Sequence, residues 1–335
     1  MYSRCLSTTD ERLQGDPRGS GGPPYKARLR ALAKINLDLR VLQARADGYH
    51  EIRTIFQTIS LADIIDVEFT SARGTTIRIH GDIDIPDNLI AKAATLALDA
   101  MRVTARVEFR LRKRIPMGAG LGGGSSDAAA VLLALPALAG RRLGLPRLME
   151  LAAELGSDVP FFLLGGAAVA LGRGTELYPL PDSPARHGLL VAPDVHVSTA
   201  AAYRALTPRL TTESQQNKIV SFQSQAWSEL WEGACAGGVN DFETVVFEEF
   251  PQLARLKRRL VKLGADPAMM TGSGSALFGL FRNREEVARA AKSFSDERVF
   301  PISLVGRARY RGLWWRTLQP HIEDKLWPPL SRSGR

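Results

Sequence analysis

The stretch that decides the fold is Pro116-Met-Gly-Ala-Gly-Leu-Gly-Gly-Gly-Ser-Ser126. Five of the seven residues from 118 to 124 are glycine, which costs backbone entropy and leaves few side chains to pack. A strand-like alternating segment precedes the run, and an alanine- and leucine-rich segment of helical character follows it. The N–H groups of such a loop and the positive end of the helix would converge on an anion, most simply a phosphate.

Other glycine-rich patterns compete for this stretch. A P-loop ends in Gly-Lys-Ser/Thr, but here Gly124 is followed directly by Ser125, so the required lysine is missing. The dinucleotide pattern G-x-G-x-x-G is satisfied by residues 118–123, but the strand before it carries alternating charges where a central parallel strand would be apolar. A flexible linker is disfavoured because linkers do not separate a strand from an immediate helix.

The composition is that of a folded globular protein with two domains. The chain has 335 residues, more than one hydrophobic core usually organises, so a cleft between two domains is expected. Of the net charge of +9, the first 30 residues carry +3 and the last 35 carry +5, which leaves +1 for the body of the chain. A basic face for nucleic acid is therefore not predicted.

The few cysteines and the short apolar segments favour a cytoplasmic protein. Cys5 and Cys235 are too few for a disulfide framework or a cysteine-rich metal site, which suits a reducing cytoplasm. The longest apolar stretches contain Pro or paired Gly and are too short to span a bilayer. Residues 1–24 lack the apolar core of a secretory signal and are interpreted as a disordered extension. We expect a cytoplasmic protein with no membrane and no nucleic-acid partner.

The spacing of apolar residues predicts mixed helix and strand. A break rich in Pro, Ser and Gly at residues 182–187 gives the expected domain boundary. Asp87 is the expected N-cap of the first helix. Strands are predicted at 27–42, 52–59, 64–69, 75–80 and 103–111, with an apolar strand from Phe161; helices are predicted at 88–101, 146–155, 249–263 and 284–293.

Asp158 and Lys34 are the candidates for chemistry. Phosphoryl transfer needs positioning, charge neutralisation and a group that receives the hydroxyl proton. Asp158 lies in a Gly-Ser-Asp-Val-Pro turn, although on the residues alone an ordinary turn aspartate is the favoured alternative. Lys34 lies among apolar residues, where it needs an anionic partner unless it faces solvent on an edge strand. A lysine beside the aspartate would favour the charged carboxylate that accepts a proton.

Six motifs, in order, carry a resemblance to a known family. The glycine run with Asp127 is similar to the phosphate-binding motif of the GHMP kinases. All six together resemble the diphosphocytidyl-methylerythritol kinases of that superfamily over about residues 27–318. Besides the glycine run, the motifs are Ala33-Lys-Ile-Asn-Leu37, Arg45-Ala-Asp-Gly-Tyr-His50, Gly156-Ser-Asp-Val-Pro-Phe-Phe162, Asn240-Asp-Phe-Glu243 and Thr271-Gly-Ser-Gly-Ser-Ala276.

The resemblance implies a two-domain α+β fold with the active site in the cleft. Residues 25–183 would form a domain like that of ribosomal protein S5, residues 184–318 a ferredoxin-like domain, and residues 319–335 a tail. The implied reaction is ATP-dependent phosphorylation of the 2-hydroxyl of a cytidine-diphosphate-linked methylerythritol, with Mg²⁺ on the ATP phosphates and no metal ligand assigned. The alternatives are another GHMP kinase, acting on homoserine or mevalonate, and a non-catalytic binding protein of the same fold. A monomer or weak homodimer is expected.

The resemblance also assigns residues to roles. Asp158 would be the general base and Lys34 its partner, with Ser157 in a position where the family usually has alanine. Tyr49 would stack on the cytosine and His50 would bond its edge. The expected substrate-binding set is Asn36, Tyr49, His50, Thr199, Tyr203, Gly272 and Ser273. The expected ATP-binding set is Asn88, Leu89, Lys113, Pro116, Met117, Gly118, Ala119, Gly120, Leu121, Gly122, Gly123, Gly124, Ser125 and Ser126.

Overall fold

The structure is a computed structural model that describes residues 24–83, 85–182, 186–210, 218–219, 222–223 and 238–322. The predicted extension, apart from residue 24, and the tail beyond residue 322 lie outside the described residues. Within these ranges, no helix has both the length and the apolar character that crossing a membrane requires.

The first sheet is built on a long antiparallel hairpin. Strand β1 (Tyr25–Ala44) pairs with β2 (His50–Ser71) along its length, and residues 45–49 form the predicted turn. The strands expected at 52–59 and 64–69 are one continuous strand, because residues 60–63 keep pairing with β1 or stay extended. The sheet has the order β3-β4-β2-β5-β6 with β1 beside β2. The remaining strands are β3 (Thr76–Gly81), β4 (Ala105–Arg112), β5 (Ala167–Gly172) and β6 (Glu176–Pro179).

Four helices cover this sheet and form the first core with it. Most of α2 (Gly123–Ala139) is buried, which explains why it is rich in alanine and leucine. Asn88, not Asp87, caps the first helix, since the Asn88 side chain accepts from Ile90 N–H at 3.0 Å. The strand expected from Phe161 is wrong, because the apolar residues after Asp158 form a helical turn first. The other helices are α1 (Leu89–Met101), α3 (Leu145–Leu155) and α4 (Val159–Leu164).

The second sheet has four antiparallel strands in the order β10-β7-β9-β8. Its chain order 4-1-3-2 is the ferredoxin-like arrangement that was predicted. The helix expected at 249–263 is confirmed with a start at residue 251. A separate helix at 243–249 precedes it, and the two are divided because Pro251 cannot donate and Phe250 leaves the helical region (φ −124°, ψ 74°). The elements are β7 (His187–Ala192), α5 (Thr199–Leu206), α6 (Glu243–Glu249), α7 (Pro251–Lys262), β8 (Ala268–Met270), β9 (Leu277–Phe281), α8 (Arg284–Ala291) and β10 (Arg298–Ser303).

The last helix, α9 (Arg307–Leu318), returns to the first core. Its buried Tyr310 donates to the Phe162 carbonyl at 2.5 Å. A Cβ on Gly165 would overlap the Tyr310 ring, so this contact requires glycine there. Tyr310, Trp314 and Leu318 of this helix belong to the first core, although the predicted second domain, residues 184–318, includes them. The domain bounds stay a prediction.

Replacing Tyr310 with phenylalanine should lower the free energy of unfolding by about 1–3 kcal/mol, because the Phe162 carbonyl would lose its buried donor. Urea unfolding measures this value. Tyr178→Phe is the matched control, since Tyr178 is 55% exposed and its hydroxyl can bond to water. Equal stability of the two variants would show that the Tyr310 hydroxyl contributes nothing.

Candidate active site

Strand β1 presents two buried polar side chains on one face. Lys34 and Asn36 are two residues apart, so both point to the same side of the strand. Lys34 Nζ donates to Asn36 Oδ1 at 2.9 Å and lies 3.4 Å from Asp158 Oδ2. The Lys34 N–H donates to the Leu121 carbonyl at 3.0 Å, which joins β1 to the glycine run. The buried lysine thus has the anionic partner that the sequence required.

Asp158 lies where α3 has ended and α4 begins. Gly156 ends α3, and Pro160 is accommodated in the first turn of α4, where its missing N–H costs nothing. The Asp158 side chain is 32% exposed, whereas Lys34 is 5% exposed. The carboxylate is therefore held by a buried cation while one part of it faces open space.

That open space is a cavity of about 200 Å³, here called the acceptor cavity. Thr199 Oγ1 and Ser273 Oγ are 2.7 Å apart on its wall. The cavity mixes an acid, a cation, hydroxyls and aromatic rings, which suits a small polar ligand. Its lining residues are Lys34, Asn36, Leu39, Ile52, Phe56, Gly120, Gly122, Asp158, Thr199, Tyr203, Phe242, Gly272 and Ser273.

The glycine run lines a second cavity of about 380 Å³, here called the loop cavity. Gly118, Gly120 and Gly122 have positive φ angles of 64°, 76° and 67°, which glycine adopts at no steric cost. Helix α2 begins at Gly123 without a side-chain cap, so its first N–H groups are left for a ligand. The lining residues are Ile85, Asp87, Asn88, Leu89, Lys113, Pro116, Met117, Gly118, Ala119, Gly120, Leu121, Gly122, Gly123, Gly124, Ser125 and Asp127.

An acid–lysine–acid cluster lies at the wall of the loop cavity. Lys113 Nζ lies 2.5 Å from Asp63 Oδ2 and 2.9 Å from Asp127 Oδ2, and all three side chains are buried. Asp63 Oδ1 also accepts two backbone N–H groups, whereas Asp127 Oδ1 is buried without a partner. Burial raises the pKa of Asp127 to about 7, against the opposing attraction of Lys113. Burial also acts to lower the pKa of Lys113, but its attraction to Asp127 and Asp63 raises it overall.

Comparison with known proteins decides the family. Models of the GHMP kinases match residues 88–166 (N-terminal domain) and 219–298 (C-terminal domain). The 4-diphosphocytidyl-2-C-methyl-D-erythritol kinase of Solibacter usitatus is 61% identical over 310 residues, covering 91% of this chain and 97% of the relative. This chain belongs to the 4-diphosphocytidyl-2-C-methyl-D-erythritol kinase family.

Solved structures confirm the α+β fold of this kinase family. A crystal structure of 4-(cytidine 5'-diphospho)-2C-methyl-D-erythritol kinase superposes with a TM-score of 0.71 at 38% identity, covering 83% of this chain and 99% of that one. Homoserine kinase from Cytophaga hutchinsonii superposes with a TM-score of 0.65 at 18% identity, covering 84% and 95%, and shares the fold alone. The predicted two-domain GHMP fold is confirmed.

The structure brings most of the predicted kinase site residues to the two cavities, and the exceptions are Ser126, Tyr49 and His50. Ser126 is 1% exposed, and its Oγ donates to the Leu32 carbonyl at 2.7 Å, so it packs into the core instead of facing the loop cavity. The sequence prediction omitted Asp63 and Asp127. The sequence did contain an indication of both residues. Asp63 lies in an apolar strand and Asp127 in an apolar helix, and a buried carboxylate requires a partner.

Tyr49 and His50 were predicted to bind the substrate, but neither residue lines the acceptor cavity. The Arg173 guanidinium lies 3.4 Å from the centre of the Tyr49 ring, which is 49% exposed. His50 stacks on Tyr203 with ring centres 4.5 Å apart, and its Nε2 lies 2.8 Å from Thr207 Oγ1. Burial lowers the pKa of His50, which favours the neutral ring. Arg173 thus covers a face of the Tyr49 ring, which was expected to stack on the base, and Thr207 contacts the His50 nitrogen, which was expected to bond the base edge. The base-binding role of both residues stays a prediction.

Proposed function

We propose that this protein transfers a phosphoryl group from ATP to the 2-hydroxyl of 4-diphosphocytidyl-2-C-methyl-D-erythritol, giving ADP and the 2-phosphate. One observation carries the proposal beyond family membership. Gly120 and Gly122 line both the loop cavity and the acceptor cavity, so the phosphates of one ligand and the hydroxyl of the other would meet at these glycines. Lys34 and Asp158 lie at that meeting point.

The arrangement supplies what phosphoryl transfer requires. The glycine N–H groups and the start of α2 would bind the phosphates. Asp158 would accept the proton of the attacking hydroxyl, and Lys34 would offset negative charge on the transferred group. Lys34 Nζ donates to Asn36 Oδ1 in addition to its contact with Asp158, so the ammonium group is held before any ligand binds.

ADP release by the purified protein with ATP and Mg²⁺ tests the proposal. The acceptors to compare are 4-diphosphocytidyl-2-C-methyl-D-erythritol, homoserine, mevalonate and no acceptor. We expect turnover with the cytidine compound alone. Turnover with homoserine or mevalonate would contradict the proposed acceptor, and the absence of turnover with all three would contradict the proposed reaction.

Mg²⁺ on the ATP phosphates is part of this proposal. Among the described residues, no three or more His, Cys, Asp or Glu side chains group together as a metal site. Asp127 Oδ1 is nevertheless a buried carboxylate oxygen without a partner, on a residue that lines the loop cavity. Hard oxygen donors suit Mg²⁺, which commonly takes one or two carboxylates and completes its shell with phosphate and water. Asp127 fits such a role, and Mg²⁺ would supply charge neutralisation to the phosphates.

Asp127→Asn should weaken the effect of Mg²⁺ on ATP binding by about tenfold, because the neutral amide is a poorer ligand for a hard cation. Calorimetry of ATP binding with and without Mg²⁺ measures this effect independently of turnover. Asn retains an oxygen that can accept from Lys113, so the cluster should keep its shape. If Mg²⁺ tightened ATP binding equally in both proteins, Asp127 would not be a ligand.

A further inference from the structure

We propose that Asn240 is a positioning residue for phosphoryl transfer, which acts on Lys34 through the turn at Gly272 and through Asn36. This inference rests on the proposed function. It gives a role to the Asn-Asp-Phe-Glu motif, which the sequence singles out and which lies mostly outside the two cavities.

The Asn240 side chain is buried, and both of its donor hydrogens and its oxygen are bonded to backbone groups. Its Nδ2 donates to the Met270 and Gly272 carbonyls, both at 2.8 Å, and its Oδ1 accepts from the Phe242 N–H at 3.0 Å. The two donated bonds leave the amide with one orientation. Asn240 therefore fixes the carbonyl side of the turn that contributes Gly272 and Ser273 to the acceptor cavity.

The other side of the same turn is bonded to Asn36, the side-chain partner of Lys34. Gly272 N–H donates to Asn36 Oδ1 at 2.9 Å, and the same oxygen accepts from Lys34 Nζ at 2.9 Å. Lys34 Nζ is in turn 3.4 Å from Asp158 Oδ2. A continuous chain of bonds thus runs from Asn240 through Gly272, Asn36 and Lys34 to Asp158.

Backbone bonds close the turn on either side of Gly272, from the Thr271 N–H to the Ala276 carbonyl and from the Gly274 N–H to the Thr271 carbonyl, both at 3.0 Å. The Gly272 carbonyl itself accepts from Asn240. Gly272 has a φ of +57° and no side chain, and it touches Gly120 of the glycine run. If the Gly272 carbonyl were released, the Gly272 N–H would shift relative to Asn36. Lys34 would then lose its alignment with Asp158, and misplacement of a reacting group by about 1 Å can cost about 100-fold in rate.

The motif is held in place by residues other than Asn240. Loss of the Asn240 amide should therefore affect the turn without unfolding the segment. Asp241 Oδ2 accepts from the Val41 N–H at 2.8 Å and pairs with Lys218 Nζ at 2.7 Å. Glu243 Oε1 accepts from the Met270 N–H at 2.8 Å, and its Oε2 pairs with Lys257. These bonds attach the segment to β1 and β8 without the Asn240 amide donors.

The test begins with Asn240→Asp, which keeps the shape of the side chain and the acceptor for Phe242 but loses both donated bonds. We expect kcat to fall by about 10- to 100-fold, with the dissociation constant for ATP within about twofold of wild type. Gln57→Glu is the matched control, because Gln57 Nε2 likewise donates to two backbone carbonyls, those of Thr58 and Val305, away from the turn. Its kcat should stay within about twofold of wild type.

A double-mutant cycle with Asn36→Ala separates positioning from a general loss of structure. If Asn240 acts through Asn36, then Asn240→Asp should lower kcat by no more than about twofold in the Asn36→Ala background. A full and additive fall there, or an unchanged kcat of the single variant, would overturn the positioning role. Absence of turnover by the wild-type protein with every acceptor would overturn the proposed function instead, so the two failures are distinguishable.

Discussion

Replacing Asp158 with asparagine should lower turnover by roughly 100-fold or more while ATP binding is retained. Asparagine has nearly the same shape but cannot accept the proton of the attacking hydroxyl, and loss of a positioned base costs about 10²–10⁴ in rate. Asp158 lines the acceptor cavity and not the loop cavity, so the contacts proposed for ATP should survive. Steady-state ADP release gives kcat, and calorimetry gives the dissociation constant for ATP.

Ser157→Ala is the control for the Asp158 variant. It changes the neighbouring residue to the one expected in this family, and Ser157 lines neither cavity. Its turnover should equal that of the wild type. Near-normal turnover of Asp158→Asn would show that the carboxylate is structural and that another group, or solvent, receives the proton.

The loop cavity could be predicted from the sequence because most of its lining comes from one continuous segment. Residues 116–125 are contiguous, and each of them lines the cavity. The strand before the run and the helix after it also form as the apolar spacing indicates. Lys34 and Asp158 were a different case, since they are 124 positions apart in the sequence. The residues alone made the pair a hypothesis, the family resemblance assigned it, and the structure places the two side chains 3.4 Å apart.

What the sequence could not predict depends on long-range packing. Asp63 and Asp127 meet Lys113 only because β2, the end of β4 and the start of α2 come together. The six residues of α4 read equally well as a buried strand, since a short apolar run has no period that separates the two states. The covering of Tyr203 by His50 and of Tyr49 by Arg173 likewise depends on side chains that are distant in sequence.

Gly120→Ala should lower kcat/KM by about 100-fold or more, because it changes the point at which the two cavities meet. Gly120 has a φ of +76°, where a side chain costs about 1–2 kcal/mol in strain. A Cβ there would also overlap the Thr271 carbonyl oxygen, so the glycine run and the turn at Gly272 would have to separate. That separation would misalign both the N–H groups that are proposed to bind phosphate and the Asn36–Lys34 contact. Steady-state kinetics with each ligand varied in turn measures the loss.

Strain and collision make separable contributions to this variant, and Gly264 offers the comparison. Gly264 has a φ of +94°, a Cβ added to it would meet no heavy atom of the described residues within 4 Å beyond its chain neighbours, and it lies outside both cavities. Gly264→Ala should therefore lose a similar 1–2 kcal/mol of stability to strain, on the order expected for a left-handed residue, but keep wild-type kinetics. If Gly120→Ala merely matched Gly264→Ala, with lower stability and unchanged kcat/KM, the close approach of the two glycine-rich segments would have no part in phosphoryl transfer.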